Sequence, residues 1–202
     1  MPLNLPTSNP NVRVERAEVL SDAWYTLRRF DFQYRNSSGT WSRQQREAYD
    51  RGNGATILLI NWARETVILT RQFRLPAYIN GHPDGMLVET AAGLLDADDA
   101  ETAIRRELEE ETGYRVASVR QLFRLYMNPG SVTEHVTFFV GEYTADDRVS
   151  AGGGVAEENE DIEVIELNLD EAMGLARSGK ICDGKTALLL HWAVVERSKR
   201  GA

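Results

Sequence analysis

The sequence predicts a mixed-sheet α/β/α sandwich preceded by a small antiparallel sheet. Three observations predict it. Strand-like and helix-like segments interleave without the regular repeat of a doubly wound fold. Two short apolar runs, residues 56–60 and 66–70, flank a polar turn at Ala63-Arg64-Glu65, as neighbouring buried strands do. Later helical segments carry start and stop signals at Asp99, Gly113, Gly179 and Asp183.

Taken in order, residues 1–12 hold three prolines and several polar side chains and read as a flexible arm. Strand-like material follows over residues 14–33, with Trp24, Tyr25, Leu27, Phe30 and Phe32 around an expected break at Ser21-Asp22. Asn36-Ser37-Ser38-Gly39 is a turn, and residues 44–49 return as a partner strand. The expected divisions are thus the arm 1–12, an antiparallel sheet 13–51 and a main domain 52–202. In the main domain, residues 86–91 read as one short strand running into Gly93. A helix from Asp99 to Gly113 has Ala100, Ala103, Ile104 and Leu108 on its apolar flank. Residues 122–127 and 135–143 form a hairpin, residues 162–167 a strand, 170–178 a helix, and Asp183 starts a last helix through Glu196.

Composition excludes several classes. The 202 residues can bury an ample core, and 27% charged with 42% apolar residues does not suggest disorder. A net charge of −8 argues against nucleic acid as a partner. One cysteine, Cys182, rules out an internal disulfide and fits a reducing compartment. No segment reads as a secretory signal or a membrane span, so a cytoplasmic protein without a membrane partner is expected.

The most informative segment runs from Gly93 to Tyr114. Glu107, Glu110 and Glu111 fall within about 100° of helix arc. Carboxylates that close repel one another unless a cation lies between them, and oxygen-rich clusters suit Mg²⁺. A solvated acidic helix face is the competing reading. The flanking residues decide between them: Arg106-Glu107-Leu108-Glu109-Glu110-Glu111-Thr112-Gly113-Tyr114 resembles the second half of the Nudix box. The first half is one residue short, with thirteen positions from Gly93 to Arg106, and Asp98 stands where the pattern has a Glu.

Further matches narrow the resemblance to the GDP-mannose pyrophosphatase branch, close to the ADP-ribose pyrophosphatases. They are residues 49–56, Ala92-Gly93-Leu94-Leu95-Asp96, Ala151-Gly152-Gly153-Gly154-Val155 and Asp183-Gly184-Lys185-Thr186. The shortened lead-in before Arg106 is itself a feature of that branch. The resemblance implies the Nudix fold and hydrolysis of GDP-mannose to GMP and mannose 1-phosphate with Mg²⁺, replaceable by Mn²⁺. It implies Glu107, Glu111, Glu160 and the Ala92 carbonyl as metal ligands, with Glu110 a ligand or a group behind the ligands. Glu160 is implied as ligand or general base, on a loop for which Gly152-Gly153-Gly154 is an expected hinge. Arg106, four residues before Glu110, is expected to hold that carboxylate.

Carried over by position, Trp24, Gln45, Arg46, Glu47, Arg74, Ala92, Gly93, Leu94, Glu134, Asn159 and Lys185 would meet the nucleotide sugar. Gln45 stands where the branch has a Lys, Asn159 where it has an Asp, and Trp24 where it has a Tyr. For Arg74, an idle surface arginine remains the open alternative. The resemblance also implies a homodimer whose N-terminal sheet reaches the partner's site. An ADP-ribose pyrophosphatase and a non-catalytic nucleotide-binding module are the rival functions. Gly179 to Thr186 matches a P-loop pattern but follows a helix rather than a strand, so the match reads as coincidence. His82, His135 and His191 lack metal-ligand spacing.

Overall fold

Polar residues alternating with apolar or aromatic ones build a three-stranded antiparallel sheet from β1 (Val12–Asp22), β2 (Thr26–Arg35) and β3 (Trp41–Asp50), in that order. The structure, a computed structural model, describes residues 8–95, 98–155 and 159–200. Residues 1–7 of the expected arm, Asp96, Glu157 and Glu158 lie outside the described residues. The expected break at Ser21-Asp22 falls later, because β1 continues through Asp22 and the bend occupies residues 23–25. A register shift between Val19 and Ser21 is what remains of it in the ladder.

This sheet belongs to the first of two units, which comprises the chain through Gly52 together with Asn128–Glu134. Cross-strand contacts carry it. Arg29 binds Glu18 at 2.6 Å, Arg28 binds Asp50 at 3.0 Å, and the Arg13 guanidinium lies 4.2 Å from the Trp41 ring centre. Segment 128–134 joins β3 through a Tyr49 N–H to Ser131 carbonyl bond and a Thr133 N–H to Tyr49 carbonyl bond.

The second unit, Asn53–Met127 with His135–Ala202, holds a seven-stranded mixed sheet. Its main path is β10 (Glu163–Asn168), β5 (Thr66–Phe73), β4 (Gly54–Asn61), β9 (His135–Glu142) and β8 (Val119–Tyr126). β4 and β9 are parallel, which a hairpin cannot join; the other pairs are antiparallel. Because side chains alternate along β4, Ala55, Ile57 and Leu59 pack with Ile104 and Leu108 of α2 (Ala100–Thr112). Leu58 and Ile60 face the opposite way, onto Leu169 and Met173 of α3 (Leu169–Arg177) and Leu189, Leu190 and Ala193 of α4 (Gly184–Arg200). Helices on both faces explain why β4 is buried along its whole length and reads as a continuous apolar run. This is the α/β/α sandwich expected from sequence.

Two local features differ from expectation. A short helix, α1 (Leu75–Ile79), precedes the Gly/Pro-rich loop, with Pro76 in its first turn. The strand expected over residues 86–91 is two strands, β6 (Met86–Glu89) on β5 and β7 (Ala91–Leu94) on β4. Thr90 makes the step between them. Its N–H is satisfied by the Thr186 hydroxyl at 2.8 Å instead of by a strand.

Candidate active site

Helix α2 begins at Asp99, whose carboxylate accepts from the Glu101 and Thr102 N–H groups, and ends at Gly113 with φ 76°. Its last carbonyls, which no helical residue can satisfy, are met from elsewhere in the same unit. Gly113 N–H donates to the Glu109 carbonyl, Gly154 N–H to that of Glu110 at 3.0 Å, and Gly153 N–H to that of Glu111 at 2.9 Å. At Gly152, with φ 70°, a side chain would collide with the backbone of Glu111 to Gly113. The triple glycine is therefore docked against the end of α2 and is not the open hinge expected from sequence. The docking fixes the start of the loop that carries Glu160, whose Oε2 accepts from the Val155 N–H at 3.0 Å.

Glu111 is 2% exposed, although it belongs to a run of four acidic or hydroxyl-bearing residues. Its Oε2 accepts from the Ala92 N–H at 3.2 Å, which ties α2 to β7. Burial pushes its carboxyl up to about 8; the nearby charges of Glu160 and Glu107 add to the rise, while the Ala92 bond and Arg74 oppose it. Glu107 lies over β7 at Gly93, and a Cβ on Gly93 would overlap the Glu107 carboxyl group. A side chain there would displace the Glu107 carboxylate from its place over β7. Arg106 reaches Glu107 at 3.1 Å and Glu110 at 3.6 Å, so it spans both carboxylates where the sequence had assigned it to Glu110.

The structure thus brings Glu107, Glu111, Glu160, Arg74, Ala92 and Gly93 into one neighbourhood of the second unit, with Glu110 and Arg106 beside it. Leu94 continues β7 opposite Gly54, and Asn159 precedes Glu160 with φ 57°, a conformation asparagine tolerates. Among the described residues, no three His, Cys, Asp or Glu side chains are gathered at ligand spacing. The donor set nonetheless suits a hard divalent ion: the carboxylates of Glu107 and Glu160 both act electrostatically on the buried carboxyl of Glu111.

Arg74 and Lys185 enter through a group the sequence reading missed. Glu89, 4% exposed, accepts from Arg74 Nε at 2.7 Å and from Lys185 Nζ at 2.9 Å. Lys185 also reaches Asp183 at 3.1 Å, and Asp183 accepts from the backbone and hydroxyl of Thr186. Thr186 in turn meets Thr90, and Thr90 meets Thr56 at 2.8 Å. Thr186 is thus committed to this buried network, in keeping with the P-loop match being coincidental. The available signal for Glu89 was a carboxylate directly after the apolar run Met86-Leu87-Val88 of a strand-like stretch.

Trp24, Gln45, Arg46, Glu47 and Glu134 belong to the first unit. Trp24 is 87% exposed, with Tyr25 at 6.0 Å between ring centres. Gln45 donates to Asp31 at 2.7 Å, and Arg46 to the Gln45 carbonyl at 2.7 Å. Glu47 lies opposite Arg29, and Glu134 is 3.5 Å from Arg51. The histidines do local work: His82 accepts from the Gly85 N–H, and His191 contacts the Ala187 carbonyl. No helix among the described residues is long and apolar enough to cross a membrane.

Comparison with known proteins extends this picture. Residues 50–187 match the model of the NUDIX domain, and residues 11–49 match that of the GDP-mannose pyrophosphatase NudK N-terminal domain. A Salmonella arizonae protein named GDP-mannose pyrophosphatase is 53% identical over 182 residues, covering 90% of this chain and 94% of that protein. One of the same name from Yersinia enterocolitica is 52% identical over 187 residues, covering 92% and 97%. A solved structure described as an ADP compounds hydrolase superposes with a TM-score of 0.69 over 96% of this chain and 99% of its own. At 18% identity, that likeness speaks to fold alone.

Proposed function

This chain belongs to the Nudix family of pyrophosphohydrolases, which use divalent metal ions, and we propose that its substrate is GDP-mannose, cleaved to GMP and mannose 1-phosphate. The observation that carries the reading is the identity of about half the residues, along nearly the whole chain, to enzymes named for that activity. The intact acidic face of α2, with Glu107 over Gly93 and Glu111 buried, supports it, because a non-catalytic module does not need three carboxylates on one helix face.

Glu107, Glu111 and Glu160, with the Ala92 carbonyl, would hold Mg²⁺, replaceable by Mn²⁺. The bound ion supplies charge neutralisation at the diphosphate oxygens. Hydrolysis forms one new P–O bond from water and breaks the bridging P–O bond, and the proton lost by water passes to a carboxylate. Gly93 lets the Glu107 carboxylate close on β7, and Ala92 N–H keeps that of Glu111 aimed at the same place. Arg106 restrains Glu107 and Glu110. Arg74 and Lys185 are donors for phosphate oxygens. Trp24, Gln45, Arg46, Glu47, Gly93, Leu94, Glu134 and Asn159 complete the contacts to the nucleotide sugar. The N-terminal sheet would serve the partner's site in a homodimer, and a single cysteine suits the cytoplasm.

The test is to incubate the purified protein and Mg²⁺ with GDP-mannose, ADP-ribose and other sugar nucleotides in ¹⁸O-water and read the products by mass spectrometry. GMP and mannose 1-phosphate are expected. Preference for ADP-ribose would overturn the substrate, and no turnover of any diphosphate would overturn the enzyme. Light scattering should give a dimer.

A further inference from the structure

We propose that Glu89 is a positioning residue that sets the directions of both Arg74 and Lys185 toward the ligand's phosphates, a role that rests on the nucleotide-sugar reading above. The three residues come from separate elements: Arg74 just past β5, Glu89 at the end of β6, and Lys185 in the first turn of α4. Their side chains meet on a single carboxylate with one cation on each oxygen, Arg74 Nε on Oε2 and Lys185 Nζ on Oε1. Glu89 engages Arg74 through Nε, which leaves the terminal nitrogens as the fork suited to a phosphate. Without that tether, an arginine side chain samples many rotamers and loses order on binding.

A purely stabilising role explains the arrangement less well. Glu89 and Lys185 are both nearly buried, and desolvating such a pair offsets most of its attraction, so apolar residues would hold the fold as firmly. With Asp183 included, the two cations and two carboxylates are formally neutral. The cluster therefore contributes direction more than net field. Thr70, whose hydroxyl donates to the Glu89 carbonyl at 3.3 Å, and the Thr90–Thr186 contact hold its backbone frame.

The experiment is a binding cycle on the full chain, by isothermal titration calorimetry with GDP-mannose and, separately, ADP-ribose, in EDTA to prevent turnover. Proteins compared are the wild type, Glu89→Gln, the double variant Arg74→Ala/Lys185→Ala, and the triple variant. Glu89→Gln keeps the shape but turns a donor toward one of the cations. It should weaken binding by about tenfold or more in the wild-type background, as loss of alignment does, and by less than about twofold once both cations are gone. Glu89→Asp, which keeps the charge and shortens the reach, should shift affinity the same way while melting cooperatively. Equal losses in both backgrounds, or unchanged affinity in Glu89→Gln, would overturn the proposal. Turnover of GDP-mannose, measured alongside with Mg²⁺, separates the two ideas. Turnover with a Glu89-independent affinity sinks the positioning role alone. Glu89-dependent binding without turnover sinks the hydrolase reading alone, turnover without binding in EDTA sinks the positioning role alone, and neither binding nor turnover sinks both.

Discussion

The two units are built on opposite principles. Among the described residues, none through Gly52 and none in 128–134 is fully buried, whereas the second unit holds two cores, one on each face of its sheet. The first unit rests on ladder hydrogen bonds, cross-strand ion pairs and an Arg13–Trp41 contact, each individually weak in water. The second rests on apolar burial, and into that interior it admits two carboxylates, Glu111 and Glu89, the latter met by the partly buried Lys185. A buried carboxylate has a use, and an exposed one is ordinary. Burial, more than acidity, is what distinguishes Glu111 from the many other carboxylates of this chain.

The largest effect should come from Glu111→Gln. Turnover should fall by on the order of 10²–10³ or more, while the melting temperature of the metal-free protein at pH 8 holds or rises. Near-normal activity would break the link between burial and chemistry. Next is Phe138→Ala at the centre of the sheet, where the side chain is fully buried against Phe123. It should cost about 3–5 kcal/mol by denaturant unfolding.

A smaller effect follows pH. Burial raises the Glu111 carboxyl to about 8, so the folded metal-free protein holds a proton that the unfolded chain releases near the ordinary carboxylate range. The stability this group contributes is full at and below that range and is lost as pH rises toward about 8. Divalent ions displace the proton, so stabilisation by added Mg²⁺ should grow over the same interval. Thermal melts from pH 5 to 9, with and without Mg²⁺, check both slopes; in Glu111→Gln the metal-free slope should flatten. The smallest effect belongs to the first unit. Trp41→Ala should cost no more than about 1 kcal/mol by the same denaturant measurement, and a loss as large as that of Phe138→Ala would erase the contrast between the units.

Much of this was legible in the residues. The α2 boundaries stand at Asp99 and Gly113 because capping chemistry is local. The runs 56–60 and 66–70 read as buried strands because helices cover both faces of their sheet. The acidic pattern on α2 was legible because residues three and four apart share a helix face. Less legible was the break at Thr90, where a strand changes partner for the sake of a hydroxyl 96 positions away. Pro76 gave a hint of α1, but five residues leave too little periodicity to read.

By itself, then, the sequence determined the layered fold, the acidic helix and the kind of chemistry it suits, since caps, alternation and helix periodicity are properties of neighbouring residues. Only the tertiary structure decided which carboxylates of the segment from Gly93 to Tyr114 are out of water. It placed Glu111 against Ala92, laid the Glu107 carboxylate over Gly93, and docked the three glycines expected as a hinge against the end of α2. It also gathered Arg74, Glu89 and Lys185 from three elements onto one buried carboxylate. The physical reason is desolvation: a charge in water is nearly indifferent to its surroundings, and only the packed chain decides which charges lose that water.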